Sequence, residues 1–173
     1  ITSAIEHPAV LQVCHYLETH GVSTTILPVD CHGLVDPAAV EAAIRPDTAL
    51  ITIMHSNNEV GTLQPIAEIA AIARRRAIPF HSDAAQSPGK VRLDVAELGV
   101  DLLSLAGRKL YAPKGVGALF VRRGLRLVPF CHGAGQERGR RAGTENVAGI
   151  VGLGMACEIA GRDLDRIASQ MRS

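Results

Sequence analysis

The chain has 173 residues, 47% of them apolar, which suffices for one domain with a buried core and argues against a disordered segment. Eighteen Lys and Arg against seventeen Asp and Glu leave a formal charge of +1, too weak a field to point to nucleic acid or an anionic membrane, so small-molecule chemistry is expected. Cys14, Cys31, Cys131 and Cys157 lack Cys-x-x-Cys spacing, so no metal site or dithiol pair is expected, and with neither a signal peptide nor an apolar run of roughly 20 residues, free thiols in the cytoplasm are.

In chain order, Ile1 to Ile5 reads as a first strand. Pro8 fits the first turn of a helix whose apolar face is Val10, Leu11, Val13, Cys14 and Leu17, and Gly21 stops it. Thr24 to Val29 returns as a strand. Asp36 followed by Pro37 reads as an N-cap and first helical residue, with Val40, Ala43 and Ile44 as the buried stripe. Ala49 to Met54 is an apolar, β-branched run typical of strands buried on both faces. A helix over about Ile66 to Arg75 ends in Arg74, Arg75 and Arg76, where positive charge suits the C-terminal dipole. Phe80 to Asp83, Leu102 to Leu105 and Gly117 to Val121 read as strands, and Val95 to Leu98 as a helical turn. A helix over roughly Val147 to Ala160 carries Gly152, Gly154 and Ala156, small residues that permit close packing against a sheet. This alternation predicts an α/β fold with a mostly parallel sheet and helices on both faces. The strand at residue 1 and an amphipathic helical pattern running through Arg162 to Ser173 mark the chain as a piece of a longer one, with no linker inside it.

The chemistry gathers where strands end. Lys109 follows an apolar strand and precedes Tyr111-Ala-Pro113 and Lys114-Gly-Val-Gly117, so a rigid support presents an amine suited to a Schiff base; Lys114 competes for the role by spacing alone. Asp83 stands at a strand end, where a carboxylate can pair with a protonated pyridine nitrogen, although a helix N-cap is its simpler reading. Gln86, three residues on, can donate to a phenolic oxygen. His7 follows the first strand, where an imidazole can stack on a flat ring and shuttle protons, although a helix-start histidine in solvent is the simpler reading. His55 to Gly61 brings further amides to the same edge, so four strand ends converge on one face. These features predict a pyridoxal phosphate site.

Five segments carry a resemblance: Ile5-Glu-His-Pro8, His55-Ser-Asn-Asn-Glu-Val-Gly61, His81-Ser-Asp-Ala-Ala-Gln86, Gly107-Arg-Lys-Leu-Tyr-Ala-Pro-Lys-Gly115, and His132 to Arg138 continuing through Arg141-Ala-Gly-Thr-Glu-Asn146. In their order and spacing the chain resembles the cysteine desulfurase and selenocysteine lyase family, the NifS-like branch of class V pyridoxal phosphate enzymes. The resemblance implies that residues 1 to 173 are the large, cofactor-binding domain of a fold-type I transferase, without its amino-terminal segment and carboxyl-terminal small domain. It also implies that Lys109 holds pyridoxal 5'-phosphate covalently, that Asp83 pairs with its ring nitrogen, and that Gln86 contacts the phenolic oxygen. His7 would stack on the ring and assist proton transfer, Asn58 would lie near substrate, and Thr144 would reach the phosphate of a neighbouring subunit, which implies a homodimer.

The implied reaction removes sulfur from L-cysteine, leaving alanine and an enzyme persulfide that feeds a sulfur-acceptor protein for iron-sulfur cluster or thiocofactor synthesis. A selenocysteine lyase acting on L-selenocysteine, or an inactive scaffold, are the alternatives. Many relatives place Ser-Gly-His before the lysine, whereas this chain has Ala106-Gly107-Arg108; Arg108 can bind phosphate by charge, but Ala106 offers no side-chain hydrogen bond. None of the four cysteines matches the family's persulfide cysteine, which lies on a mobile loop beyond residue 173, so these residues alone are not expected to complete a turnover. Gly133-Ala-Gly135 with Gly139 imitates a dinucleotide fingerprint, but Glu137, Arg138, Arg140 and Arg141 stand where an apolar helix would have to open, and a salt-bridged loop is the better reading than one that binds RNA.

Overall fold

The structure, a computed structural model, describes residues 1–172. Six strands, seven α-helices and one 3-10 turn make up the described residues: β1 (Thr2–Ser3), α1 (Pro8–Glu18), β2 (Ile26–Leu27), α2 (Pro37–Ala42), β3 (Ile51–Thr52), α3 (Ile66–Arg75) and β4 (Phe80–Asp83) come first. α4 (Val95–Leu98), β5 (Leu102–Ala106), a 3-10 turn (Gly107–Leu110), β6 (Gly117–Val121), α5 (Gln136–Gly139), α6 (Val147–Arg162) and α7 (Leu164–Arg172) follow. β1 pairs with β2 in parallel, and β3, β4, β5 and β6 form a four-stranded sheet in that order. Thr52 N donates to Ile1 O at 2.9 Å and ties the two groups together.

The sheet is parallel through β3, β4 and β5, as the alternation of elements predicts, but β5 and β6 are antiparallel. Only residues 107–116 connect those two strands, too few for the crossover of a dozen or more that a parallel pair needs. Gly107 makes this tight return possible: its N donates to Val116 O at 3.0 Å, and a Cβ on it would stand 2.6 Å from that oxygen. Gly117 faces Leu105 O with the same 2.6 Å restriction.

β3 is shorter than the run Ala49 to Met54 that suggests it, yet the parallel pairing continues beyond Thr52. Ile53 N donates to His81 O at 3.2 Å and His55 N to Asp83 O at 2.8 Å, so extended backbone carries the chain to the cleft. The α3 bounds match the predicted ones, because Ile66, Ile69, Ala70 and Ala73 recur at helical spacing and are all buried. They meet Val40, Ile51, Ile53, Phe80, Val100 and Leu103 in the main core. Each large aliphatic side chain buried this way contributes about 1.5–3 kcal/mol.

The small residues of α6 have a different partner from the predicted one. α6 packs on the 3-10 turn rather than on a strand, and a second cluster of Leu110, Ala112 and Leu153 lies between them. A Cβ on Gly152 would stand 2.7 Å from the Pro113 ring, whereas Gly154 faces nothing within 4 Å. Lys109 thus lines both the cleft at the sheet edge and a cavity walled by α6. The pattern over Arg162 to Ser173 divides between the last residue of α6, Arg162, and α7, with Ser173 outside the described residues.

Candidate active site

The carboxyl ends of β3, β4 and β5, together with the start of α1, enclose a cleft of about 410 Å³, within the usual size of small-molecule sites. Its walls carry His7, Asn58, Asp83, Gln86, Arg108 and Lys109, six of the seven residues that the sequence singles out. Thr144 is exposed and lies away from this cleft. Lys114 is exposed and does not line it either, so geometry separates the two lysines that spacing leaves equal. None of the four cysteines lines it.

Each side chain arrives on a fixed support. Asp83 ends β4, and its Oδ1 accepts from Ala85 N at 2.9 Å, a local turn that leaves Oδ2 for another partner. His7 is both a helix cap and a cleft residue: its Nδ1 accepts from Ala9 N at 3.1 Å, which in the neutral ring places the proton on Nε2. Lys109 is half-buried in the 3-10 turn, which Tyr111 ends in a left-handed conformation at φ +61°. Arg108 is exposed at the rim. Ser87 fastens the strand end that bears Gln86, since its buried Oγ lies 2.7 Å from His55 Nδ1 and 2.6 Å from Ser56 Oγ. Burial lowers the His55 pKa.

Two cleft neighbours escape a reading by residue type. His81 sits between Thr52 Oγ1 at 2.7 Å and Ser104 Oγ at 2.8 Å, and burial lowers its pKa against the opposing pull of Asp83. Its position two residues before Asp83 is the available signal, because residues i and i+2 of a strand share a face. Glu6 is 5% exposed directly before His7. Its Oε1 accepts from Ser3 Oγ at 2.6 Å and Met54 N at 2.8 Å, while Oε2 is buried without a partner among the described residues. Desolvation, chiefly, and the charge of Asp83 raise its pKa to about 7. An acidic residue inside an otherwise apolar strand end is the corresponding sequence signal.

The donor set fits a flat, anionic, pyridine-containing cofactor. Asp83 offers an unpaired carboxylate oxygen, Gln86 an amide, His7 an imidazole edge, Lys109 an amine and Arg108 a cation, all around one cleft. No cluster of three His, Cys, Asp or Glu side chains able to hold a metal occurs among the described residues, and no helix among them is long and apolar enough to cross a membrane.

The chain is 54% identical over 166 residues to a cysteine desulfurase IscS of Dictyoglomus turgidum, covering 96% of this chain and 42% of the relative. It is 53% identical over 159 residues to a cysteine desulfurase of a Nostoc species, covering 92% of this chain and 40% of the relative. The chain therefore spans less than half the length of the curated relatives it matches. Among solved structures, SspA in complex with cysteine superposes with a TM-score of 0.88 at 52% identity, covering 91% of this chain and 46% of that one. A NifS-like protein gives a TM-score of 0.92 at 42% identity, covering 95% and 46%. A family model described as aminotransferase class-V matches residues 1–172, and the chain belongs to that family.

Proposed function

We propose that the protein carrying this chain is a pyridoxal phosphate-dependent cysteine desulfurase, with residues 1–173 contributing the cofactor-binding domain. The observation that carries the reading is the convergence of Lys109, Asp83, Gln86 and His7 on one cleft, in a chain 54% identical to a cysteine desulfurase. When bound, pyridoxal phosphate supplies an electron sink that accepts the pair left at the substrate Cα as its proton departs.

The chain's own residues do the rest. Lys109 would hold the cofactor through Nζ, and as a free amine it would take the proton from the substrate Cα and return it there. Asp83 keeps a proton on the ring nitrogen through Oδ2, since a nearby carboxylate favours the charged form of its partner. Gln86 directs a donor at the phenolic oxygen, and His7 stacks by the ring with a proton on Nε2. Arg108 at the rim supplies positive charge for the phosphate, in place of the histidine that many relatives carry there. Asn58 faces the substrate side, and Thr144 reaches the cofactor phosphate of a second copy in a homodimer.

In the sulfur-transfer step a cysteine thiolate of the enzyme, not one of the four on this chain, attacks the substrate sulfur. The new S–S bond forms as the substrate Cβ–S bond breaks with its electron pair left on carbon; Cβ takes up one proton, and Lys109 returns one to the Cα, which leaves alanine. A sulfur-acceptor protein then removes the outer sulfur for iron-sulfur cluster or related synthesis in the cytoplasm.

The test is alanine release from L-cysteine, together with borohydride trapping of the cofactor. Trapping on Lys109 with alanine produced is expected. Trapping on Lys114, or an unmutated protein that binds cofactor and releases no alanine, would overturn the reading.

A further inference from the structure

Lys90 belongs to a turn behind the cleft. It lines the two neighbouring cavities, one bounded by Asn58, Gln86 and α7 and the other by Lys109 and α6, but it is not among the residues that line the cleft itself. Gln86 stands between, with a face on the cleft and a face on the first of those cavities. Lys90 Nζ donates to Gln86 Oε1 at 3.0 Å and to the Gln86 main-chain oxygen at 2.8 Å.

An ammonium group has three donors and no acceptor. Against the two-faced amide of Gln86 it therefore tolerates only the carbonyl oxygen, since the flipped amide would set NH2 against NH3⁺. The bond to the main-chain oxygen fixes the ammonium on a group that cannot rotate. The turn is also anchored, with Lys90 N donating to Ser87 O at 3.1 Å and Gly89 seated against Leu110 and Ala160. No residue among those described accepts from Gln86 Nε2, which is left as a donor.

We propose that Lys90 is a positioning residue that orients the Gln86 amide so that NH2, and not the carbonyl oxygen, is presented to the cofactor's phenolic oxygen. The inference rests on the proposed function and names a residue that neither the motifs nor the cleft walls contain. Partial burial, chiefly, and the charge of Lys109 lower the Lys90 pKa.

The test follows the visible chromophore of the holoprotein with pH, along with the cofactor dissociation constant. Lys90→Met should raise the midpoint by about one pH unit, because a phenolate that loses a donor holds its proton more tightly. It should also weaken cofactor binding roughly tenfold. Lys90→Arg, which keeps the donors, should recover most of both. In a Gln86→Leu background, Lys90→Met should move the midpoint by less than about a third as much, since the effect passes through the amide.

Equal shifts in both backgrounds would mean that Lys90 acts through its own charge, and no shift in either would make it a surface contact; either result overturns the proposal. If Lys90→Met does not fold, Lys90→Gln takes its place, since its two-faced head admits both amide orientations. An unmutated holoprotein in which borohydride traps nothing on Lys109 would sink the proposed function instead, which separates the two failures.

Discussion

The sheet edge formed by β3, β4 and β5 and the segment from Leu125 to Gly143 are opposites in construction. At the edge, side chains from different strands fix one another: His81 is held by Thr52 and Ser104, and His55 and Ser56 share the Oγ of Ser87. Among the described residues, the hydrogen bonds of the later segment close on the segment itself or on Arg122, as in Ala142 N to Cys131 O and Gly143 N to Gln136 Oε1. Val128 and Phe130 are 89% and 92% exposed there, and Glu137 and Arg138 adopt positive φ. The difference teaches that the cleft is organised by contacts between strands, whereas the later segment is held by local contacts alone among the described residues.

The largest expected effect breaks the edge at its reactive group. Lys109→Ala abolishes the borohydride-trapped adduct, while Lys114→Ala leaves it, since only Lys109 lines the cleft. Next is Asp83→Asn, which keeps the turn to Ala85 but removes the charge. Loss of one preorganised electrostatic partner lowers the rate of alanine release by about 10²–10³-fold, with the adduct still forming on Lys109. An equal loss of adduct would show that Asp83 supports the fold rather than the chemistry.

Glu6 sharpens the comparison, because burial at the edge carries a cost. Its folded pKa of about 7 stands above the ordinary value of 4.5. Both states are protonated well below pH 4.5; as pH rises the unfolded chain releases the proton first, so stability falls until about pH 7 and is constant beyond it. The loss is about 3 kcal/mol. His55 and His81, whose pKa values burial lowers, contribute the opposite slope, present above their ordinary pKa and lost as pH falls. That slope is common to both proteins, so denaturation curves of Glu6→Gln subtracted from those of the unmutated protein isolate Glu6. A flat difference between pH 4.5 and 7 would show that the carboxyl is solvated.

A smaller effect is expected at the tight return. Gly107→Ala forces a Cβ towards Val116 O and costs roughly 1–3 kcal/mol of stability, read as a lower midpoint in urea. Because that return carries Lys109, adduct formation slows as well. Gly154→Ala, with open space at its Cβ position, leaves both measurements unchanged or slightly improved.

The two regions also differ in how far they are legible in the sequence. α3, β4 and β6 keep their predicted bounds, because each is set by a local signal: the buried stripe of Ile66, Ile69 and Ala73, the alternation of Phe80 to Asp83, and glycine at 117. Of the six cleft residues, Lys109, Asp83, Gln86 and His7 are legible from their places just after strand ends, whereas Asn58 and Arg108 are named only through the family resemblance. The antiparallel direction of β6 is not legible, since it depends on the length of a connection whose compactness rests on Gly107 meeting Val116. The partner of α6 differs from the expected one because small residues announce close approach without saying to what. Lys90 is invisible for a similar reason: its role depends on which atom of Gln86 it faces.

The smallest effect on folding is expected in the exposed segment, and it decides the comparison. Thr144→Ala should change stability by less than about 0.5 kcal/mol, since an exposed side chain away from packed features has little to lose. Cofactor binding should nevertheless weaken roughly tenfold if its hydroxyl serves a phosphate. Whether that phosphate belongs to the same copy follows from mixing Thr144→Ala with Lys109→Ala after dissociation and reassociation. In a symmetric dimer that shares its sites, each mixed dimer collects both lesions in one site and leaves the other intact, so about one site in four recovers full binding. If Thr144 serves its own chain, every site keeps one lesion and none recovers. Recovery of a quarter of the sites would thus show that Thr144, which does not line the cleft of its own chain, serves the cleft of a second copy.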